Sequence, residues 1–361
     1  MIKKTMICVV IVALIVAISA YAIYELYAPP SAPKLFSHSS VTVVDGAGNT
    51  VTVALPVNRI VVLDGNLAEF LCLMGLQDSI VGRTDAQCPP QLLNVKSVGE
   101  AAYSMSVEAI LELQPDLIIA DSLLTYDMNG AYTQLKDANM PIYISQATPP
   151  PQNPLDMTSE ELYNAPTGID ITCSVMQDLS AVVGDKARVD AFVTWAQGYN
   201  KLVKDRVAAL SREQQTLAFI DWYDYPYSTW VYLDVYQAGG INIAENSTTY
   251  NPVLSREIVV EKNPSVIIEI ISSPTHDVND FIAARNDVIG RQVLKGVDAV
   301  KNERVYVCDF SSRNGLRSII GYLYWAKWIQ PDLFSDINPE NVSQELYQQF
   351  GVSMTGAYCY P

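Results

Sequence analysis

The sequence predicts an α/β protein of two parallel-sheet lobes joined by a single long α-helix. Three observations carry that expectation. Short apolar runs of strand length alternate with helical stretches in each half of the chain, the pattern of parallel sheets covered on both faces. From Asp185 to about Leu210, Phe192, Ala196, Tyr199, Val203 and Leu210 recur at helical spacing along one face, in a rod roughly 37 Å long. Finally, SVEAILELQPDLII (residues 106–119) is echoed by SREIVVEKNPSVII (residues 255–268), one copy per half. At 361 residues the chain is long enough for two domains.

In chain order, Lys3 and Lys4 precede an uncharged, mostly apolar run from Thr5 to Tyr24. About 20 such residues cross a bilayer, and the lysines favour a cytoplasmic N-terminus. Residues 1–24 are therefore expected to anchor the chain to the cell membrane, with everything after Glu25 outside. Signal cleavage near Ala22 and secretion is the alternative. Residues 25–40 form a Pro/Ser-rich tether.

The N-terminal α/β lobe is assigned to residues 41–168. It opens with VTVVDGAGNTVTVALP, two alternating runs around a turn signal, which predicts a hairpin. RIVVL, SIVGR, PDLIIAD and MPIYIS read as strands, and NLAEFLCLMGL reads as a helix after the first of them. A polar, Pro-rich break follows (TPPPQNPLDMTSEELYNAPTG), and residues 169–212 are assigned to the helical connector, which Asp185 can cap. Residues 213–361 form the C-terminal α/β lobe, with TLAFIDW, SVIIEII and RVYVCDF as strands and a helical tail from Gly315. In the repeated segment, serine caps a helix, a glutamate two residues later sits at its positive end, and proline stops it before a strand.

Composition excludes several functions. The net charge is −16 and no basic stripe is present, so nucleic acid is not a partner. No phosphate-binding loop, nucleophile elbow or HExxH motif occurs, and two histidines, His38 and His276, rule out a histidine-rich metal site. No enzyme, cofactor or resident metal is expected. The six cysteines share no metal-ligand spacing and read as buried thiols with one or two bridges. Asn246 and Asn341 are sequons that a glycosylating host would use.

What remains is a set of loops after parallel strands, where ligands bind in open α/β sheets. These are residues 64–66, 83–90 and 121–123 in the first half, and 222–230, 272–277 and 310–317 in the second. The loop DWYDYPYSTW (residues 221–230) carries five aromatic side chains. Tyrosine and tryptophan there offer flat apolar area with a polar handle. Tyr223, Tyr225, Tyr227 and Trp230 are therefore candidate ligand residues, with Asn66 and Phe310 from the other loops. Arg83 and Arg313 are candidates for meeting the negative charge of a ferric chelate. Trp222 is read as core.

Taken together, TVVDGAGNTVTVALPVNRIVVL, LMGLQDSIVG, SVEAILELQPDLII, AGGINIA, SREIVVEKNPSVII, LKGVDAVKNERVYVCD and YWAKWIQPDLFSDINPE, in that order and spacing, resemble the substrate-binding proteins of ABC importers for ferric siderophores, haem and cobalamin. The resemblance covers roughly residues 41–350 and implies the class III periplasmic-binding-protein fold. It also implies a monomer that captures a metal-chelate small molecule between its lobes and delivers it to a membrane permease and its ATPase. One surface glutamate per lobe docks such proteins on permease arginines, and by position these are Glu108 and Glu257. A ferric siderophore fits aromatics plus arginines best, with a corrinoid or haem as alternatives on the same fold. A membrane-tethered surface sensor or adhesion protein without a transporter is the reading of another class.

Overall fold

The computed structural model describes residues 39–145, 161, 165–229, 233–247, 249, 251–273, 276–352 and 356–361. The expected membrane anchor, nearly all of the tether, and Trp230 lie outside the described residues. The first elements are a hairpin of β1 (Ser40–Val44) and β2 (Thr50–Ala54), paired in antiparallel register. Asp45 closes its turn by accepting the N–H groups of Ala47 (3.0 Å) and Asn49 (2.7 Å).

The first lobe is built on β3 (Ile60–Val62), β4 (Ile80–Thr84), β5 (Lys96–Gly99), β6 (Leu117–Ala120) and β7 (Ile142–Ile144), all parallel, in the order β5-β4-β3-β6-β7. Its helices are α1 (Gly65–Leu73), α2 (Val107–Glu112) and α3 (Ala131–Asp137). β3 and β6 are buried throughout, as continuous apolar strands under helices must be.

The second lobe repeats the plan with β8 (Thr216–Trp222), β9 (Gly240–Asn242), β10 (Val266–Ile271), β11 (Val305–Asp309) and β12 (Cys359–Tyr360), in the order β12-β11-β10-β8-β9. Only β12 runs antiparallel to its neighbour. Its helices are α6 (Leu233–Gln237), α7 (Arg256–Lys262), α8 (Val278–Gly290), α9 (Asp298–Lys301), α10 (Ser318–Ile329) and α11 (Pro339–Phe350). In each sheet the strand order reverses once, between β3 and β6 and between β8 and β10. Those are the switch points at which ligand crevices open.

The long connecting helix expected from Asp185 is present, and a second helix precedes it. Two helices, α4 (Gly168–Val183) and α5 (Lys186–Val207), stand between the lobes. Asp185 does cap α5, accepting from Ala187 and Arg188. The pair runs antiparallel, because Asp170 near the start of α4 bonds to Gln197, Asn200 and Lys204 near the end of α5. One apolar core runs from Val53 and Leu71 in the first lobe through Met176 and Phe192 of the connectors to Ile268 and Trp325 in the second.

The duplicated segment is structural in both copies. Ser106 and Ser255 cap α2 and α7, each accepting from the N–H three residues on. The residue before each stopping proline, Gln114 and Asn263, adopts the left-handed conformation with φ +46°.

Candidate functional site

In the first lobe, Asp64 caps α1 through the Leu67 N–H at 2.8 Å. Gly65 must be glycine, because a Cβ there would stand 2.4 Å from the Gln87 carbonyl oxygen and 2.8 Å from that of Ala86. The loop after β4 is thereby laid across the start of α1. Asn66, Glu69 and Leu73, spaced i, i+3 and i+7, present one face of α1 to a cleft of about 800 Å3. At the switch point, Asp121 caps the turn after β6 and accepts from Leu123 at 3.0 Å. Burial, and then the neighbouring Asp64, push its carboxyl up to about 7.

The facing wall comes from the second lobe. Asp309, at the end of β11, accepts the N–H groups of Ser273 (2.8 Å) and Ser311 (2.8 Å), knotting the loops after β10 and β11 together. Ser273, His276, Phe310 and Ser311 line the cleft there. The His276 ring stacks on Tyr358 at 4.1 Å between centroids, and the Arg317 guanidinium lies 5.2 Å from the same ring. His276 has a φ of +51° and its Nδ1 is buried without a hydrogen-bond partner among the described residues. Burial lowers its pKa, against the attraction of Asp309. Arg317 then spans the cleft to Glu69 as a two-pronged ion pair, with Nη2 donating to Oε1 at 2.6 Å. The lining carries the carboxylates of Glu69, Asp85, Glu100 and Asp309 against the guanidiniums of Arg188 and Arg317. The cleft is on balance acidic.

The candidate residues do not all meet here. Asn66 and Phe310 line the cleft, and Trp222 is half-buried against Phe310 at 5.5 Å. Arg83 does not reach it. Its side chain is buried, pairs with Asp85 and donates to the carbonyls of Leu92 and Leu93, bracing its own loop. Arg313 is likewise turned into its lobe, paired with Asp234 and stacked 5.3 Å from Trp325. Tyr227 is a core residue at 8% exposure, stacked on Phe219 at 6.4 Å. The cause is Asp221, fully buried, which accepts the Tyr227 N–H at 2.6 Å and pairs with Arg291. Arg291 in turn lies 5.4 Å from the Tyr227 ring and also meets buried Glu269. Tyr223 (42% exposed) and Tyr225 (70% exposed) stand on the surface outside the cleft lining.

Sequence reasoning missed Glu69, Arg188, Phe350 and Tyr358. Glu69 had a signal, its place on the Asn66 face of α1. Tyr358 had none, because β12 was hidden in a tail read as helical.

Glu108 and Glu257 are both exposed in the first turns of α2 and α7. The helix-start N–H and the capping serine hydroxyl hold both carboxyls below the usual range. The aromatic loop packs against the segment that leads into α7. Thr229 donates to the Pro252 carbonyl and Leu254 to that of Tyr227, tying the loop to the segment that leads into α7. Val253, at 76% exposure, shares that surface.

Residues 60–311 match the family model for periplasmic binding proteins. Over 304 residues the chain is 24% identical to an ABC transporter substrate-binding lipoprotein, YvrC, of Bacillus subtilis, covering 82% of this chain and 87% of that protein. The molybdate-binding protein MolA of Haemophilus influenzae is 23% identical over 334 residues, covering 85% and 90% of the two chains. Its molybdate-bound structure superposes with a TM-score of 0.70 at 21% identity, covering 87% of this chain and 99% of that one. A cobalamin-binding protein of Halobacterium salinarum is 26% identical over 250 residues, covering 66% of this chain and 60% of that protein. This chain belongs to the periplasmic binding protein family, as a two-lobed class III solute-binding component of an ABC importer rather than an enzyme.

Proposed function

We propose that the cleft captures a large metal chelate of low net charge, a corrinoid in preference to a polyanionic ferric siderophore, and hands it to an ABC permease. The observation that carries this is the roughly 800 Å3 cleft, walled by Phe310, Tyr358 and His276, in which carboxylates outnumber guanidiniums. Arg83 and Arg313, which would have favoured an anionic chelate, are engaged elsewhere. Aromatic faces that each lose ~100 Å2 to a ligand contribute about 2.5 kcal/mol apiece before the cost of association. The cobalamin-binding relative agrees with this class, whereas a small oxyanion would leave most of such a cleft unfilled.

Delivery uses Glu108 and Glu257, two ionised carboxylates on rigid lobes that set register against permease arginines. Tyr225, on the loop tied to the segment that leads into α7, and Val253, in that segment, add exposed aromatic and apolar area for docking. The apolar run of residues 5–24 holds the chain at the outer face of the cell membrane. To test the cargo, the purified chain is titrated with cyanocobalamin, a ferric catecholate, haemin and molybdate while tryptophan fluorescence is followed. Cyanocobalamin is expected to quench with the lowest Kd, and tight binding of molybdate alone would refute the proposal. The E108A/E257A variant is expected to keep its ligand affinity and lose stimulation of the reconstituted transporter's ATPase.

A further inference from the structure

Cys308 and Cys359 face each other across the last two strands of the second sheet. β11 and β12 are antiparallel, and Cys308 is the register partner of Cys359. The Asp309 N–H donates to the Tyr358 carbonyl at 2.8 Å, so 309/358 is a hydrogen-bonded pair. The adjoining pair, 308/359, is therefore the non-hydrogen-bonded kind, with Cα atoms about 4.5 Å apart and side chains on one face. That separation falls within the roughly 4.4–6.8 Å that a disulfide spans. Both side chains enter the same apolar core, Cys308 fully buried and Cys359 partly so. The Trp325 indole N–H donates to Cys308 Sγ at 3.4 Å, a contact that either a thiol or a disulfide sulfur accepts.

We propose that Cys308 and Cys359 form a structural disulfide that fastens the C-terminal strand, and with it the Tyr358 wall of the ligand cleft. The inference rests on the reading of the chain as working outside the cytoplasm, where disulfides persist. Both thiols are pushed up by burial, Cys308 to about 12, so the sealed pair is a poor nucleophile. The exchange accordingly takes place as the tail docks. One thiolate attacks a disulfide donor of the dithiol-oxidoreductase class, and the second cysteine displaces the donor from the mixed disulfide. Two protons and two electrons leave with the donor, which ends as a dithiol. Tyr358 directly precedes Cys359, stacks on His276 and lies under Arg317, so what fixes β12 fixes that side of the cleft. In this structure both thiols are free, and the tail is held by a two-residue strand, a few backbone bonds and the packing of Ala357, Tyr358 and Tyr360.

Peptide mapping tests the bond. Trypsin releases Cys308 within residues 305–313 and Cys359 within residues 328–361. Full-length protein taken from the cell envelope without reductant and alkylated in denaturant should yield these two peptides joined, and separated by dithiothreitol. Alkylation of both cysteines, or linkage of Cys359 to another cysteine, would overturn the proposal. A second arm refolds reduced protein in glutathione disulfide, where the linked peptide must form wherever the chain naturally works. Its absence there refutes the geometry. Its presence there, with reduced protein from cells, refutes the native bond and speaks against the extracytoplasmic reading. Cys359→Ser should lower the melting temperature by about 5 °C relative to oxidised protein. It should also speed hydrogen exchange in residues 357–360, as should reduction of the unaltered chain. An unchanged melting temperature and exchange rate would refute the fastening role.

Discussion

Asp121 shows at the scale of one residue how the switch point stores a proton. Its carboxyl, raised to about 7 by burial and by Asp64, keeps a proton in the folded chain that the unfolded chain releases near pH 4. The stability it contributes is therefore complete below pH ~4 and is lost as pH rises through about 7. Asp121→Asn should flatten that slope, gaining on the order of a few kcal/mol over the parent at pH 8 and little at pH 4. Denaturant melts of both proteins at four pH values measure it, and parallel profiles would show that no proton is held there. Tyr225 gives a second expectation at this scale. Tyr225→Ala should leave chelate affinity unchanged and weaken ATPase stimulation severalfold, because the side chain is exposed outside the cleft, on the loop tied to the segment that leads into α7. The loop's aromatic content was visible in the sequence, but the direction of each ring was not. Tyr227 turns inward because Asp221 meets Arg291, a partner 70 residues away that no local pattern signals.

Elements were far more legible than contacts. β3, β6, β7, β8, β10 and β11 fall within the apolar runs that predicted them, β4 overruns its run by one residue, and the serine-capped helices of the repeated segment begin where serine and glutamate place them. Such signals are local, a period of burial and a cap, and survive without knowledge of partners. α4 escaped as a separate helix because Gly184 and Asp185 were read as the start of one rod, not as the corner between two. At the other end of the pair, Asp170 locks the start of α4 to α5. Its carboxylate accepts from the Thr167 N–H (2.9 Å), Gln197 (2.9 Å), Asn200 (2.9 Å) and Lys204 (2.8 Å). Burial works against its charge, yet these donors outweigh it and hold the carboxyl at about 2. Asp170→Ala should cost about 3 kcal/mol, since it strands the buried amide of Asn200 and the half-buried amide of Gln197 as well as the Lys204 ammonium. A smaller shift in the denaturant midpoint, under about 1 kcal/mol, would mean that the connector is held by its apolar face alone.

For the whole molecule, the tie between lobes is both apolar and ionic. The continuous core through α4 and α5 resists large hinge motion, and the Glu69–Arg317 pair joins the two walls of the cleft. Both partners are mostly buried, at 14% and 16% side-chain exposure, so each has lost most of its water. Removing one partner should then be worse than removing both. Glu69→Gln should destabilise the protein by about 2–4 kcal/mol, whereas Glu69→Leu with Arg317→Met should come close to neutral. The same substitution tests the charge argument for cargo. Glu69→Gln takes one negative charge from a cleft wall whose carboxylates outnumber its guanidiniums, and it releases Arg317 from its strongest partner. An anionic ferric catecholate or haemin should gain roughly tenfold in affinity, about 1.4 kcal/mol, while cyanocobalamin should change little. Isothermal titration of both proteins with the same chelates at fixed ionic strength reads this directly. Equal shifts for anionic and uncharged chelates would mean that Glu69 acts by holding the lobes together, and that the acidity of the cleft does not choose the ligand.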